Sequence, residues 1–186
     1  MPAGYLSNPL MLIANTLIGA YIFILIIRVL LQSTGADSRN PISGFILKAT
    51  QGPLRALNPI FPTIKNINLS AVALMIMMQI ALGFLMTAGQ LNANLWMIFI
   101  WSLTELISSV INVFTYSIFA TVILSWVAPT SYNPGIALLY QITEPVLKPC
   151  RRMIPPMGGF DLSPMVALLG LQVLKMLLLP LFFGLM

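Results

Sequence analysis

Four runs of about twenty apolar residues decide what this chain can fold into. They cover residues 10–31, 69–87, 106–127 and 164–186. A helix needs about 20 such residues to cross the hydrocarbon core of a bilayer. Only 7% of the residues are charged, whereas a soluble domain has about 25%, so the chain cannot cover a water-soluble surface. The sequence therefore predicts an all-α integral membrane protein with four transmembrane helices.

The polar segments between these runs occur in two related copies. Asn40-Pro41 matches Asn133-Pro134 at an offset of 93 residues (133 − 40), and further polar landmarks match at the same offset. Because this offset is half of the chain length, we interpret the chain as a tandem duplication of a two-helix unit, with residues 1–93 and 94–186 as the two repeats. We assign structural roles to the motif residues Asn40, Pro41, Thr50, Pro62, Ser70, Asn133, Pro134, Thr143, Glu144, Pro155, Asp161 and Ser163.

Each polar segment is typical of an amphipathic helix followed by a turn. An Asn that precedes a Pro is a favourable helix start, since the Asn side chain caps free N–H groups and Pro suits the first helical position. The residues that follow are only partly apolar, and a segment of about a dozen residues can lie in the headgroup plane but cannot span the membrane. We expect Ser70 and Ser163 to cap the next spans. We expect the prolines at 53, 59, 62, 145, 149, 155 and 156 to end the amphipathic helices.

The distribution of positive charge predicts the topology. Residues 33–68 contain four of the nine Lys and Arg residues, and residues 128–163 contain three. The N-terminal tail, the turn at 88–94 and the C-terminus contain none. Because short segments rich in Lys and Arg stay in the cytoplasm, we expect both amphipathic hairpins there and both termini outside. The two repeats are then parallel, related by an axis along the membrane normal.

One apolar stretch is too long to cross the membrane once. It runs from Asn94 to Val127, and the repeat places the start of its span near Glu105. We therefore expect residues 94–104 to form either an outer interfacial segment or a helical extension of the span.

The composition excludes several classes of function. The chain has one cysteine, Cys150, and no histidine, which excludes an internal disulfide and the commonest metal ligand. It also contains no nucleophile–base pair and no carboxylate dyad. The net charge of +5 comes without a basic run, so it is not a nucleic-acid signal. We expect no enzymatic activity, no cofactor, no metal and no nucleic-acid partner.

Polar residues inside the spans are the candidates for an intramembrane site. Lys175 lies about 18 Å into the last span, at a rise of 1.5 Å per residue from Ser163. An ionisable residue at such a depth is a functional hypothesis by default. Glu105 lies near the outer surface, about 33 Å from Val127 by the same rise, so a direct Glu105–Lys175 pair looks strained. The other intramembrane polar candidates are Gln79, Gln172 and Asn112, with Asn15, Ser108 and Ser109; these residues line an aqueous route or, more commonly, hydrogen-bond between helices.

The second polar segment, with "ITEPVLKPCRRMIPPMGGFDLSP" after its Asn-Pro pair, resembles the signature of the YggT family. The resemblance covers essentially the whole chain, although the first copy, "GPLRALNPIFPTIKN", lacks the double arginine and the Gly-Gly pair. It implies a small bacterial inner-membrane protein with plastid and cyanobacterial relatives. It also implies links to osmotic stress tolerance, to genes of the division region and, in plastids, to cytochrome maturation, and it implies no enzymatic activity.

Two functional hypotheses follow. The favoured one is a membrane assembly or adaptor protein whose basic hairpins contact anionic phospholipids or partner proteins, since each cation near an anionic surface contributes about 1 kcal/mol. Its candidate residues are Arg55, Lys148, Arg151 and Arg152, and the alternative is that these cations only set the topology. The second hypothesis is a component of an ion channel or transporter. Four spans are few for a pore, so that component would be a homo-oligomer.

Overall fold

The computed structural model describes residues 7–35, 40–87, 94–127, 133–154 and 161–183. These residues form six helices and one short antiparallel ladder. In chain order the elements are α1 (Ser7–Ser33), α2 (Pro41–Leu57), β1 (Thr63–Ile64), β2 (Ile67–Asn68), α3 (Leu69–Met86), α4 (Leu95–Val127), α5 (Pro134–Met153) and α6 (Ser163–Phe183).

The four predicted spans are confirmed as helices. α1, α3, α4 and α6 are each long and apolar enough to cross a membrane, and the part of the chain that the structure describes is helical apart from the ladder and the turns. Thr63 pairs with Asn68, and Ile64 with Ile67, so the ladder is a hairpin between α2 and α3. We call the end of the bundle that carries α2, α5 and this hairpin the basic end.

Residues 95–104 are a helical extension, so the second of the two expected forms is found. α4 is one continuous helix of 33 residues, about 50 Å long at 1.5 Å per residue. The extension packs against the end of α3 at Gly83, where a Cβ would lie 2.7 Å from Ile98 Cγ2 and 3.3 Å from Trp101 Cε3. Glycine is therefore what allows the two helices to approach this closely.

The amphipathic helices begin where the sequence predicts. The side chain of Asn40 accepts a hydrogen bond from the Ile42 backbone N–H, and that of Asn133 accepts one from Gly135. Proline is the first residue of both helices. With 17 and 20 residues, both helices are longer than the expected dozen.

The prediction that every proline ends a helix was wrong. Pro53 lies inside α2, and Pro145 and Pro149 lie inside α5. A proline inside a helix leaves the carbonyl four residues earlier without its usual N–H donor. For Pro53 that carbonyl belongs to Ala49, and the Tyr21 hydroxyl of α1 donates a hydrogen bond to it at 3.4 Å. The tertiary contact thus replaces the lost donor. Pro155 and Pro156 lie outside the described residues.

The expected serine caps were also wrong. The side chain of Asn68 accepts from the Ala71 N–H at 3.0 Å, and that of Asp161 accepts from the Ser163 N–H at 2.9 Å. These two residues cap α3 and the start of α6. Ser70 is buried, and its hydroxyl donates to the Phe61 carbonyl at 2.6 Å. It therefore ties the turn that contains Pro62 to α3 instead of capping the helix.

The spans follow one another around the bundle. α3 packs against α1 and α4, α4 packs also against α5 and α6, and α6 packs against α4 and α5. One core cluster centres on Leu25, Leu54 and Leu82, which joins α1, α2 and α3, and a second centres on Ile118 and Leu147 between α4 and α5. Each amphipathic helix thus packs against the spans of its own repeat, and α5 packs also against α1, where Leu31, Ile46 and Leu138 belong to a third cluster.

Candidate functional site

The two amphipathic helices contact each other at their N-termini. The Asn40 side-chain amide donates to the Pro134 carbonyl at 2.8 Å. A Cβ at Gly135 would lie 3.3 Å from Ile42 Cδ1. The Asn-Pro motif of the first repeat therefore serves both as a cap and as a contact to the second repeat. We call α2, α5 and the β1–β2 hairpin together the interfacial layer.

A fully buried threonine anchors each of these helices. Thr50 donates to the Ile46 carbonyl at 2.6 Å, and Thr143 donates to the Leu139 carbonyl at 2.8 Å. Both side chains have 0% exposure. Each hydroxyl donates a hydrogen bond to a carbonyl of its own helix. The polar side chain can therefore be buried among apolar residues with its hydrogen-bonding group satisfied.

The first repeat adds an arginine that the sequence analysis missed. Arg28 lies in α1, and its Nη1 donates to Thr50 Oγ1 and, at 3.1 Å, to the Leu47 carbonyl. The repeat offset places Thr121 at the equivalent position of α4, so comparison of the two copies gave no signal. The positive charge of Arg28 within a span could have identified it, since an arginine there needs a hydrogen-bond or ion-pair partner or must extend to the interface.

A pocket of about 230 Å³ adjoins this arginine at the basic end. Arg28, Gln32 and Ser43 are among the residues that line it. Arg28 Nε, Gln32 Oε1 and Ser43 Oγ are buried and have no hydrogen-bond partner among the described residues. All three atoms are closed off from solvent, so they do not offer a ligand-accessible site in this arrangement.

Among the predicted basic residues, Arg151 differs from the others. Its Nη1 lies 3.0 Å from Glu144 Oε2 and its Nε lies 3.1 Å from Asp161 Oδ2. Burial opposes the charged form of Arg151, but the hydrogen bond to Asp161 and the charge of Glu144 outweigh it and raise the pKa of the guanidinium. Arg151 thus joins α5 to the cap of α6, and its charge is balanced by two carboxylates.

The remaining basic candidates are exposed. Arg55 lies in the last turn of α2, and Lys148 and Arg152 lie near the end of α5. None of the three forms an ion pair with another described residue. Lys148 borders an open groove of about 600 Å³ that Ser33 and Gln141 also line. These cations are available to an external anion.

Large apolar side chains are exposed beside these cations. Phe45 is 66% exposed, Ile60 68% and Met153 76%, and Ile64 and Ile67 of the hairpin are exposed as well. A helix that lies in the headgroup plane combines such apolar residues with Lys and Arg. The exposed surface of the interfacial layer therefore has the chemistry of a membrane interface.

A second candidate site is a polar groove between α1, α3 and α4, with a volume of about 300 Å³. It gathers Asn15, Gln79, Glu105, Ser109 and Asn112, all of them predicted polar candidates, in one place. Gln79 is only 8% exposed, and its side chain has no hydrogen bond to another described residue. A polar group in hydrocarbon without a partner costs several kcal/mol, so the groove needs water or a polar ligand.

On α4, the groove-lining polar residues form one stripe. Glu105, Ser109, Asn112 and Tyr116 line the groove, at spacings of four, three and four residues, which places them on one helix face. The stripe extends about 16 Å along the axis, at 1.5 Å per residue from Glu105 to Tyr116. It runs from the end of the bundle opposite the basic end towards the middle of the membrane.

Lys175 reaches the wall of this groove from α6. Its Nζ lies 2.9 Å from Asn112 Oδ1. Glu105 is not within ion-pair distance of Lys175, in agreement with the expectation that a direct pair is strained. Gln172 is exposed on α6 and is not part of the groove. The structure therefore brings together the predicted intramembrane residues with the exception of Gln172 and Ser108.

The described residues contain no group of three or more Cys, Asp or Glu side chains that could hold a metal ion. Cys150 is partly buried and has a free thiol. The candidate chemistry is therefore that of charged and amide side chains at the interface and in the groove.

Comparison with known proteins identifies relatives along the whole chain. The family model described as CCB3/YggT matches residues 7–89 and 100–182, and the two matches start 93 residues apart (100 − 7), the offset of the sequence repeat. The chain is 40% identical over 175 residues to an uncharacterized protein of Pseudomonas aeruginosa, covering 92% of this chain and 89% of the relative. It is 31% identical over 172 residues to the uncharacterized protein YggT of Escherichia coli K12, covering 91% and 88%. A protein of Porphyra purpurea, ycf19, is 42% identical over 55 residues, covering 29% and 58%. No solved structure matches the chain.

Proposed function

The chain belongs to the CCB3/YggT family of multi-pass membrane proteins, and on that premise we propose that it is a non-enzymatic membrane-organising protein that binds anionic phospholipids through its interfacial layer. The observation that carries the proposal is the combination of unpaired cations and exposed large apolar side chains on α2 and α5. Anionic headgroups would bind the cations, while the apolar side chains would enter the acyl boundary.

The proposal includes a topology and a location. The basic end faces the cytoplasm of a bacterial cell, because cytoplasmic leaflets are anionic and basic segments are retained there. The membrane is then the inner membrane, and the end with the α4 extension faces outward. Labelling of single cysteines at Ile64 and Phe99 with a membrane-impermeant thiol reagent, in a Cys150→Ser background, tests this orientation in intact cells. Labelling at position 64 from outside would overturn it.

Three residues carry the proposed lipid contact. Arg55, Lys148 and Arg152 are exposed and have no described counter-ion. Each cation near an anionic surface contributes about 1 kcal/mol, so together they contribute up to about 3 kcal/mol. Arg151 is not counted, because its charge is balanced by Glu144 and Asp161.

The test is lipid retention and thermal stability in nanodiscs. Discs made of a zwitterionic phospholipid are compared with discs that also contain phosphatidylglycerol. We expect the anionic lipid to raise the melting temperature of the wild type and not that of the triple variant Arg55→Ala/Lys148→Ala/Arg152→Ala. The matched control Arg55→Lys/Lys148→Arg/Arg152→Lys keeps the charges and retains the shift. An equal shift in all three proteins contradicts the proposal.

A link to osmotic stress or to cell division is part of the proposal and is tested in cells. In a strain that lacks the chromosomal copy, Lys148→Glu/Arg152→Glu fails to restore growth at high osmolarity and normal division, whereas Lys175→Leu restores both. Arg151 is left intact because its replacement would break the junction between α5 and α6. If both variants restore the wild-type phenotype, neither set of residues carries the function.

The polar groove favours a second function, that of an ion-transport component. Glu105 and the amide groups of Gln79 and Asn112 would line a hydrated route in the half of the membrane away from the basic end. Ion flux into sealed proteoliposomes tests this function. Flux that Glu105→Gln or Lys175→Leu abolishes would support transport over lipid organisation, and flux equal to that of empty liposomes would exclude it.

A further inference from the structure

The tandem repeat leaves one copy of an interface unused. Within the chain, α3 is the second span of the first repeat and packs against α4, the first span of the second repeat. The equivalent pair is α6, the second span of the second repeat, with α1, the first span of the first. In the chain α6 packs against α4 and α5, and α1 is not among its principal neighbours. A surface that is buried between the repeats is therefore present a second time and remains open.

Residues buried between α3 and α4 have exposed counterparts on α6 and α1. On α3, Leu82 is 2% exposed and Gly83 contacts Ile98 of α4, whereas Met176, the counterpart of Gly83 on α6, is 74% exposed. On α4, Leu106 is 8% exposed, whereas its counterpart on α1, Ile13, is 54% exposed. α6 and α1 are also the two least buried spans of the bundle.

The exposure of two equivalent glutamines also indicates an open contact surface on α6. Gln79 of α3 is buried at 8% exposure in the polar groove, whereas its counterpart Gln172 is exposed on α6. Gln172 forms no hydrogen bond to another described residue, and in hydrocarbon its amide would lack a partner. Interhelical contacts in membranes are commonly built by such polar side chains. A second helix against this face of α6 would enclose Gln172 in a polar groove, as α4 encloses Gln79.

We propose that α6 of one chain packs against α1 of a second copy through the faces equivalent to those around Gln79 of α3 and Leu106 of α4. The close approach at Gly83 is not repeated, because its counterpart on α6 is Met176. The two copies contribute different helices to each α6–α1 contact. The smallest closed form is a twofold dimer in which this contact occurs twice. The occupant is a second copy because only α1 repeats the position of α4 in the duplicated unit. This inference does not depend on the proposed lipid binding.

The contact would complete a second polar groove. The counterpart of Leu82, which lines the existing groove, is Lys175, and the counterpart of Gly19 is Asn112. The Lys175–Asn112 hydrogen bond would then lie inside the second groove. By the repeat offset, the polar residues that line it are Ser108, Asn112, Thr115, Tyr116, Gln172 and Lys175 of one chain and Thr16 of the partner subunit.

Cysteine cross-linking in native membranes tests the contact. Gln79 and Glu105 both line the existing groove, and their counterparts are Gln172 on α6 and Leu12 on α1. Two differently tagged chains, both carrying Cys150→Ser, are co-expressed, one with Gln172→Cys and the other with Leu12→Cys. We expect oxidation to give a mixed dimer that contains both tags, and neither variant expressed alone to give a dimer.

A matched control separates this contact from random collision. Phe84 is 47% exposed on α3 even though α3 packs on two sides, so its counterpart Leu177 should face lipid in the dimer as well. Leu177→Cys therefore should not cross-link to Leu12→Cys. Cross-linking of Gln172→Cys with itself would show a symmetric α6–α6 contact and overturn the proposal. Absence of any mixed dimer, with both variants present in the membrane at wild-type amounts, would show that lipid covers α6 and would overturn it as well.

Discussion

Replacing Gly83 with alanine should weaken the contact between α3 and the extension of α4. A Cβ at this position would lie 2.7 Å from Ile98 Cγ2 and 3.3 Å from Trp101 Cε3. Both distances are shorter than an ordinary carbon–carbon contact, so the two helices would have to move apart or the side chains shift. Overpacking of this kind costs about 1–3 kcal/mol.

The structure also indicates which part of that range applies. A pocket of about 300 Å³ lies beside Gly83, Ile98 and Trp101, which gives both side chains room to move. We therefore expect the lower half of the range, about 1–2 kcal/mol. Alanine also stabilises a helix relative to glycine by about 1 kcal/mol. Comparison of Gly83→Ala with the wild type alone would therefore understate the packing cost.

Gly170 provides the matched control. It lies in α6, and a Cβ there would meet nothing within 4 Å. Both Gly→Ala variants gain helix propensity, so the difference between them isolates the packing term. The measurement is reversible unfolding in mixed micelles at increasing denaturing-detergent fraction, followed by circular dichroism. We expect Gly83→Ala to be less stable than Gly170→Ala by about 1–2 kcal/mol.

A double-mutant cycle ties the effect to the named contact. Ile98→Ala removes the methyl group that a Cβ at Gly83 would meet, so Gly83→Ala should cost less in that background. Contacting residues show coupling energies of about 0.5–3 kcal/mol. Equal stabilities of Gly83→Ala and Gly170→Ala would refute the argument that glycine sets the approach of α3 to α4.

Three further predictions concern polar contacts. Thr50→Val should lower the free energy of unfolding by about 1–3 kcal/mol, and by more than Thr143→Val does, because among the two threonines only Thr50 accepts a hydrogen bond from a partly buried guanidinium, that of Arg28. Detergent unfolding of both variants measures this, and equal losses would contradict it. Asn112→Leu should destabilise the protein because it leaves Lys175 unpaired in the span, and adding Lys175→Leu should restore stability; a double variant no more stable than Asn112→Leu would show that the hydrogen bond contributes nothing. Burial opposes the charged form of Asp161, but the hydrogen bond from the Ser163 backbone N–H and the pairing with Arg151 outweigh it and lower the pKa of the carboxyl. The contribution of Asp161 to stability is therefore present above the unfolded pKa of about 3.9 and is lost as pH falls through the lower folded value. Thermal unfolding at decreasing pH should show a smaller loss of stability in Asp161→Asn than in the wild type, and identical pH profiles would count against this.

The chain sequence by itself determined the features that depend on local pattern and on solvent. Four apolar runs of sufficient length can only be stable as helices in lipid, and they appear where the sequence places them. The Asn-Pro starts of α2 and α5 were likewise readable, because capping depends on neighbouring residues alone. The duplication was readable from the constant offset of its polar landmarks.

The tertiary structure decided what depends on contacts between distant helices. The Tyr21 hydroxyl of α1 donates to the Ala49 carbonyl, which Pro53 leaves without its usual N–H donor. The extension of α4 packs closely against α3 because residue 83 is glycine. Both contacts join residues that are distant in the sequence, so no local sequence pattern predicts them.

The same holds for the candidate sites. Sequence reasoning found most of the intramembrane polar residues one by one, but only the rotation of α1, α3 and α4 about their axes places Asn15, Gln79 and Glu105 in one groove. It missed the Arg28–Thr50 contact because that contact joins two helices and has no counterpart in the second repeat. A helical period fixes which residues share a face, whereas packing between helices fixes which face meets which, and for that reason the spans could be predicted and the sites could not.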